Sequence, residues 1–311
     1  MTTTSPAPAA VIAPPPPRRT RVRARSEWKG LAFVAPFLVV FLLVFIAPVA
    51  YSVHLSLFRE QLVGGNAFVG LANFVELFGD AQFWEGFARV VLFLLIQVPI
   101  MLGLALVAAL AIDSARLHAS GFFRIVIFLP YAVPAVVAVL MWGFIYGDDF
   151  GLAANVNDWL GSEVITPFAR NWILVSIGNI VTWEFVGYNM LIFYSALRTI
   201  PTDLYEAAEL DGAGPMRVVT GIKLPALRGA IVIATIFSII GSFQLFNEPN
   251  ILRTLAPNII TTFFTPNMYA YNLSFSGQQY NYSATVAIVM GVITAVIAYV
   301  VQLRGSRKEE R

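Results

Sequence analysis

Val90-Val91-Leu92-Phe93-Leu94-Leu95-Ile96 is an unbroken apolar run with no polar residue at alternate positions. A half-exposed strand alternates, and so does a strand of an outer-membrane barrel. This run does not. It lies in an apolar stretch, 88–112, that is too long for a strand. As a helix the stretch is long enough to cross the hydrocarbon core, which takes about 20 residues. A helix also satisfies its own backbone groups, as lipid demands.

Five further stretches of the same kind flank it, at 31–54, 122–146, 172–197, 229–246 and 283–303. The chain of 311 residues is 58% hydrophobic and 12% charged. Soluble domains run nearer one-quarter charged, so a disordered chain is excluded and the composition argues against an ordinary soluble enzyme. The spacing predicts an all-α, polytopic membrane protein with six transmembrane helices. Pro36, Pro48, Pro99, Pro130 and Pro134 fall inside spans. Neighbouring helices can re-satisfy the carbonyls that proline frees, so kinked helices in a bundle are expected. Three segments follow: a Pro-rich and basic tail at 1–30, a six-helix domain at 31–303 with a long loop at 198–228, and a tail at 304–311. The four consecutive prolines at 14–17 point to an extended, disordered tail.

Lys and Arg set the orientation. Six fall within 18–29, Arg116 and Arg124 lie on the same side, with four more within 198–228 and four within 304–311. The other side holds only Arg59, Arg89, Arg170 and Arg253. This is the positive-inside pattern, and it places both termini in the cytoplasm. It also explains the basic run at 18–29 without nucleic acid. The apolar stretch after it is longer than a signal-peptide core and is expected to be retained. There is no cysteine, and His54 and His118 stand far apart, so neither a metal site nor a thiol nucleophile is expected.

The loop at 198–228 is too polar to span and too patterned to be slack. Pro201-Thr202-Asp203 offers a helix start, with an acid at the positive end. Leu204, Ala207 and Ala208 follow at i, i+3 and i+4, forming one apolar face. Gly212-Ala213-Gly214-Pro215 stops that helix, and a second short helix is expected over 216–223. Such a pair either presents a small-residue face to a partner or packs on its own bundle. Periodicity does not choose between them.

Glu206-Ala207-Ala208, then Gly212, Ile222 and Leu224-Pro225, match the EAA motif of ABC importer permeases at every position. The chain is identified as a member of that family, and it resembles the carbohydrate branch related to the larger membrane subunit of the maltose importer. The likeness runs from about Phe33 to Leu303. It includes Phe68-Val69-Gly70-Leu71-Ala72-Asn73-Phe74, 123–134, Trp142 and 149–155. Val219 departs from the aromatic residue common in sugar permeases. The resemblance implies the type I ABC importer permease fold in a cell membrane. It further implies a second homologous permease, two ATP-binding subunits and an extracytoplasmic sugar-binding protein as partners. Glu206, Ala207, Ala208, Asp211, Gly212, Ile222, Leu224 and Pro225 would form the coupling loop against an ATPase. No GxxxxGK[ST] loop is present, so ATP hydrolysis is expected from a separate subunit and this chain is expected to be no enzyme.

Polar groups inside spans are costly and are functional candidates by default. Glu184 precedes Arg198 by 14 residues, roughly 21 Å of helix. Tyr188 lies one turn from it. Ser238 and Ser242 stand at comparable depth on the next span, and Gln244 and Asn247 follow. The resemblance places Glu184, Phe185 and Tyr188, with Ser238, Gly241, Ser242 and Leu245, along a sugar pathway. Ser238 and Ser242 could instead bond backbone carbonyls, and Gln97 reads as an interhelix hydrogen bond. Phe83, Trp84 and Phe87 read as a short amphipathic helix at the interface. Tyr271, Tyr280 and Tyr282 read as an aromatic belt. The expected function is import of a sugar, an oligosaccharide by resemblance. The rivals are a same-fold permease for another cargo such as glycerol phosphate, a proton-coupled carrier using Glu184, and a membrane scaffold or receptor without transport, against which the motif spacing over 206–225 counts.

Overall fold

A computed structural model describes residues 27–61, 65–114, 117–147 and 151–309, with side chains from 30 to 305. Nearly all of the Pro-rich and basic tail, Arg116, Asp149 and Arg311 lie outside the described residues. The chain divides after Tyr51 into two compact units.

In the first unit the helix Glu27–Phe41 passes into a π-helical turn, Leu42–Ile46, before the helix resumes at Ala47. Proline explains the turn. Pro48 has no N–H to give Val44, and its ring crowds that carbonyl. The helix widens by one residue, and the Ala47 N–H bonds to Leu42 O. Phe37, Phe41 and Phe45 stack along one face, with centroids 6.0 and 5.6 Å apart.

The second unit carries the remaining spans. A short antiparallel hairpin pairs Phe58–Gln61 with Gly65–Phe68, Phe58 opposite Phe68. The helix Ala72–Phe78 then leads to the second span, Ala81–Asp113. This span begins earlier than expected, and Phe83, Trp84 and Phe87 belong to its first turns rather than to a separate interfacial helix. Asp80 caps it by accepting from the Gln82 N–H at 2.9 Å, and the helix runs unbroken from there through Pro99. Phe83 is fully buried beside Leu77 and Val286.

The third span is broken. Ser120–Phe128 and the 3-10 turn Leu129–Ala132 meet Ala135–Ile145 at 96°. Val133 is driven into the extended region (ψ 131°) by the ring of Pro134. The expected kink is therefore a full break. The fourth span, Ile173–Leu197, is continuous. The fifth, Arg228–Phe243, pauses and resumes as Asn247–Leu252. The last helix, Tyr280–Glu309, continues past residue 303. Counting the broken pair once, six helical segments among the described residues are long and apolar enough to span a membrane.

Packing reflects a membrane setting. Ala105, Ala109 and Ala234 are fully buried where the second, fourth and fifth spans meet, letting backbones approach closely. Leu92, Leu95, Ile100 and Leu104 are half-exposed on the outside of the second span, as lipid-facing residues should be.

Asp80 also ties three elements together. Its Oδ2 accepts from Tyr269 Oη at 2.6 Å and from Tyr282 Oη at 2.8 Å. Tyr282 is thus a structural partner of Asp80 and not a belt residue, whereas Tyr271 and Tyr280 stay half-exposed. Burial works to raise the Asp80 pKa. The two tyrosine bonds, with the N–H groups of Gln82 and Phe83, outweigh it and hold the carboxyl below the usual aspartate value. A depressed folded pKa contributes stability above the unfolded pKa of about 4 and loses it as pH falls through the folded value. Asp80→Asn is expected to cost about 1–2 kcal/mol at pH 7. It should also remove part of the wild type's loss between pH 5 and pH 3, read by thermal unfolding in detergent. An unchanged pH profile in the variant would contradict this.

Candidate functional site

A cleft of about 410 Å³ opens among the second, fourth and fifth spans and the break in the third. The second span contributes Phe93, Gln97 and Met101, one helical stripe at i, i+4 and i+8. The break contributes Tyr131, which sits at the 96° bend and packs against the fourth span. The fourth span contributes Val181, Phe185, Tyr188 and Asn189, and the fifth Phe237, Ser238, Ile240, Gly241, Ser242, Gln244 and Leu245. Asn247 and Glu248 follow after the pause in the fifth span.

Six of the seven expected pathway residues therefore meet in one place: Phe185, Tyr188, Ser238, Gly241, Ser242 and Leu245. Glu184 does not line the cleft. Helical geometry accounts for this: at 100° per residue, Glu184 lies about 90° from the middle of the Val181–Phe185–Tyr188–Asn189 face. Its side chain is buried beside that face and Oε2 has no hydrogen-bond partner. Glu248 is also buried.

The polar groups divide by use. Ser242 Oγ donates to Ser238 O at 2.9 Å, so this hydroxyl's proton is already committed. Gln97 Nε2 donates to Thr182 Oγ1 at 3.3 Å, the interhelix bond expected, while Gln97 also faces the cleft. Asn189 Nδ2 donates to Phe185 O at 3.0 Å, and its Oδ1 has no partner although the residue is 2% exposed. A buried acceptor without a donor is costly.

Aromatic rings supply the rest. Tyr131 and Tyr188 stack at 5.0 Å with planes 19° apart, and Phe185 meets Tyr131 edge-on at 5.8 Å. Stacked rings beside the polar lining groups Ser238, Gln244, Asn247 and Glu248 match a polyol with an apolar face. No Lys, Arg or His is among the lining residues. Tyr131, Asn189 Oδ1 and Glu248 were not singled out as pathway groups from sequence. The only available signal for Tyr131 was its place between Pro130 and Pro134.

The second candidate is the loop after the fourth span. Thr202–Leu210 forms its first helix, behind Pro201 and with Asp203 in the first turn. It ends in a Schellman motif: the Ala213 N–H bonds to Ala208 O at 2.9 Å and the Gly212 N–H to Glu209 O at 3.0 Å. Gly212 stands at φ +71°, the left-handed region that favours glycine. The second helix starts at Pro215 and passes through a π turn, Val219–Lys223, into Leu224–Ala226. Pro225 explains that turn as Pro48 explains the first, the Leu224 N–H bonding to Val219 O.

Glu206, Ala207, Asp211 and Gly212 are exposed, while Ala208, Ile222, Leu224 and Pro225 are half-buried. Leu204, Leu210 and Met216 are exposed by 50%, 91% and 74%. Exposed apolar groups beside small residues favour the first of the two readings of this loop, a surface presented to a partner.

Three comparisons bear on both sites. The family described as binding-protein-dependent transport system inner membrane component matches residues 101–305. The lactose transport system permease protein LacF of Rhizobium radiobacter is 31% identical, over 90% of this chain and 95% of its own length. The sulfoquinovosyl glycerol transport system permease protein SmoG of Agrobacterium fabrum is 32% identical, over 86% and 87%. Among solved structures, a chain of a bacterial ABC transporter involved in import of the acidic polysaccharide alginate superposes with a TM-score of 0.78 at 20% identity. That superposition covers 91% of this chain and 96% of the other, and it establishes a common fold.

Proposed function

This chain belongs to the binding-protein-dependent transport system inner membrane component family, and from that premise we propose that it is one permease of an ATP-driven sugar importer. It is a multi-pass membrane protein. Cargo delivered by an extracytoplasmic binding protein enters the cleft between this permease and a second, homologous one. Two copies of a separate ATPase dock on the cytoplasmic side, one of them against the loop at 198–228. Their closure on ATP rocks the spans outward, and hydrolysis returns them.

The observation that carries this reading is the meeting of Phe185, Tyr188, Ser238, Gly241, Ser242 and Leu245 in one cleft. The stacked Tyr131–Tyr188 pair offers the face on which a sugar ring lies. Ser238, Gln244, Asn247 and Glu248 line the cleft and supply polar groups to its hydroxyls. A phosphate ester would meet Glu248 and no cation of this chain, so an uncharged sugar suits the cleft better than glycerol phosphate. An oligosaccharide could extend beyond the cleft's 410 Å³ toward the second permease.

Gly241 supplies the test. A Cβ there meets nothing within 4 Å, so a side chain at this position starts into open space beside the cleft. Gly241→Trp is expected to cut uptake of labelled sugar by the reconstituted importer more than about tenfold, with thermal stability held within about 0.5 kcal/mol. Uptake at the wild-type rate would place the pathway elsewhere.

A further inference from the structure

Asp113 is the last residue of the second span. A carboxylate there sits at the negative end of the helix dipole and is unfavourable unless a cation meets it. Lys223, 110 residues later in the loop, supplies the cation: its Nζ lies 2.6 Å from Asp113 Oδ2. The two side chains are 13% and 9% exposed. The other ion pairs among the described residues, Arg59–Glu76 and Arg89–Glu85, have carboxylates at least half-exposed. The Tyr205 ring, on the first loop helix, lies 5.6 Å from Lys223 Nζ. Burial and then the Asp113 charge raise the Tyr205 hydroxyl pKa, with Arg198 opposing them. Both loop helices and the end of the second span thus share one lock.

Covalently, the loop joins only the fourth and fifth spans. The second span reaches the cleft through Phe93, Gln97 and Met101. Met101 is 12 residues above Asp113, roughly 18 Å along a continuous helix. We propose that the Lys223–Asp113 ion pair is the strap through which movement of the loop is passed to the second span, and so to the third wall of the cleft. This rests on the reading that the loop docks an ATPase. A buried ion pair adds little net stability, because desolvation offsets its attraction. What it adds is a fixed relation between two elements. Lys223 and Asp113 are positioning residues: they face each other, and the loop's exposed face at Leu210 and Met216 is left clear.

The test uses the full importer in liposomes and reads the ratio of sugar-stimulated to basal ATP hydrolysis. Lys223→Met and Asp113→Asn are each expected to lower that ratio about tenfold while the subunits still assemble. The reversed pair, Asp113→Lys with Lys223→Asp, is expected to recover it to within about threefold, because coupled partners are not additive. A lysine at position 113 also suits the helix end. The chain has no cysteine, so spin labels at Val107→Cys and Thr220→Cys report the distance between span and loop directly. With the strap, that distance is expected to change by less than about 2 Å when nucleotide binds. In Lys223→Met it changes by more. Single variants with the wild-type ratio, or a label distance indifferent to Lys223, would overturn the strap alone. No stimulation in the wild type would overturn the docking reading and the strap with it.

Discussion

Gly187→Ala is expected to destabilise the chain by about 3 kcal/mol, at the upper end for an overpacked site. A Cβ at Gly187 would stand 2.1 Å from Ile127 O and 2.7 Å from both Ile127 C and Phe128 Cα. All three are backbone atoms, so no side chain can swing aside. The first half of the third span must retreat from the fourth. Tyr131 follows Phe128 by one turn, so the same retreat pulls it from its stack with Tyr188. Gly178→Ala on the same helix is the control. Its Cβ would make ordinary contacts with Gln97 Cγ at 3.5 Å and Phe93 Cε2 at 3.6 Å. It is expected to stay within about 0.5 kcal/mol of wild type. Thermal unfolding of both variants in detergent checks the pair, and equal midpoints would contradict the packing described for the third and fourth spans.

Glu206→Ala combined with Gly212→Asp is expected to weaken ATPase binding at least tenfold, while the isolated chain loses only about 1 kcal/mol. Glu206 is exposed and makes no hydrogen bond or ion pair among the described residues. Gly212 has open space around it but a positive φ, which aspartate tolerates better than most residues. Neither change removes a contact within the chain. A large effect must then arise at a partner. Retention of the ATPase on the immobilised permease pair is the readout, compared with thermal stability of the permease alone. Full retention by the variant would mean that the loop's exposed face is not where the ATPase sits.

The spans were legible because membrane helices are written in consecutive residues. So was the loop: Pro201, the Leu204–Ala207–Ala208 stripe and Gly212 act within a turn or two of themselves. The cleft was partly legible, since Ser238, Gly241, Ser242 and Leu245 share one face of one helix. Glu184 stands off the cleft because i and i+4 are neighbours but not coincident, and a face only one turn wide leaves it at the side. Phe83, Trp84 and Phe87 were misread because an amphipathic start to a long span has the same pattern as a separate surface helix. What decides between them is Asp80, whose cap continues into the span. The pairings Asp113–Lys223, Asp80–Tyr269 and Asp80–Tyr282 bridge 110, 189 and 202 residues. No local pattern carries such separations. They arise only when helices are placed side by side. Glu248 is similar: in sequence it begins an outer segment, and only the pause after Phe243 brings it back to the cleft.

The proposed function couples sugar in the cleft to ATP hydrolysis below the loop through this chain. ATP hydrolysis by liposomes holding the chain, its companion permease, the ATPase and the binding protein, against a panel of mono- and oligosaccharides, decides whether it does. A particular sugar is expected to stimulate hydrolysis, and Glu206→Ala with Gly212→Asp to abolish the stimulation. No stimulation by any sugar, with uptake that instead follows a proton gradient and depends on Glu184, would rule out coupled import.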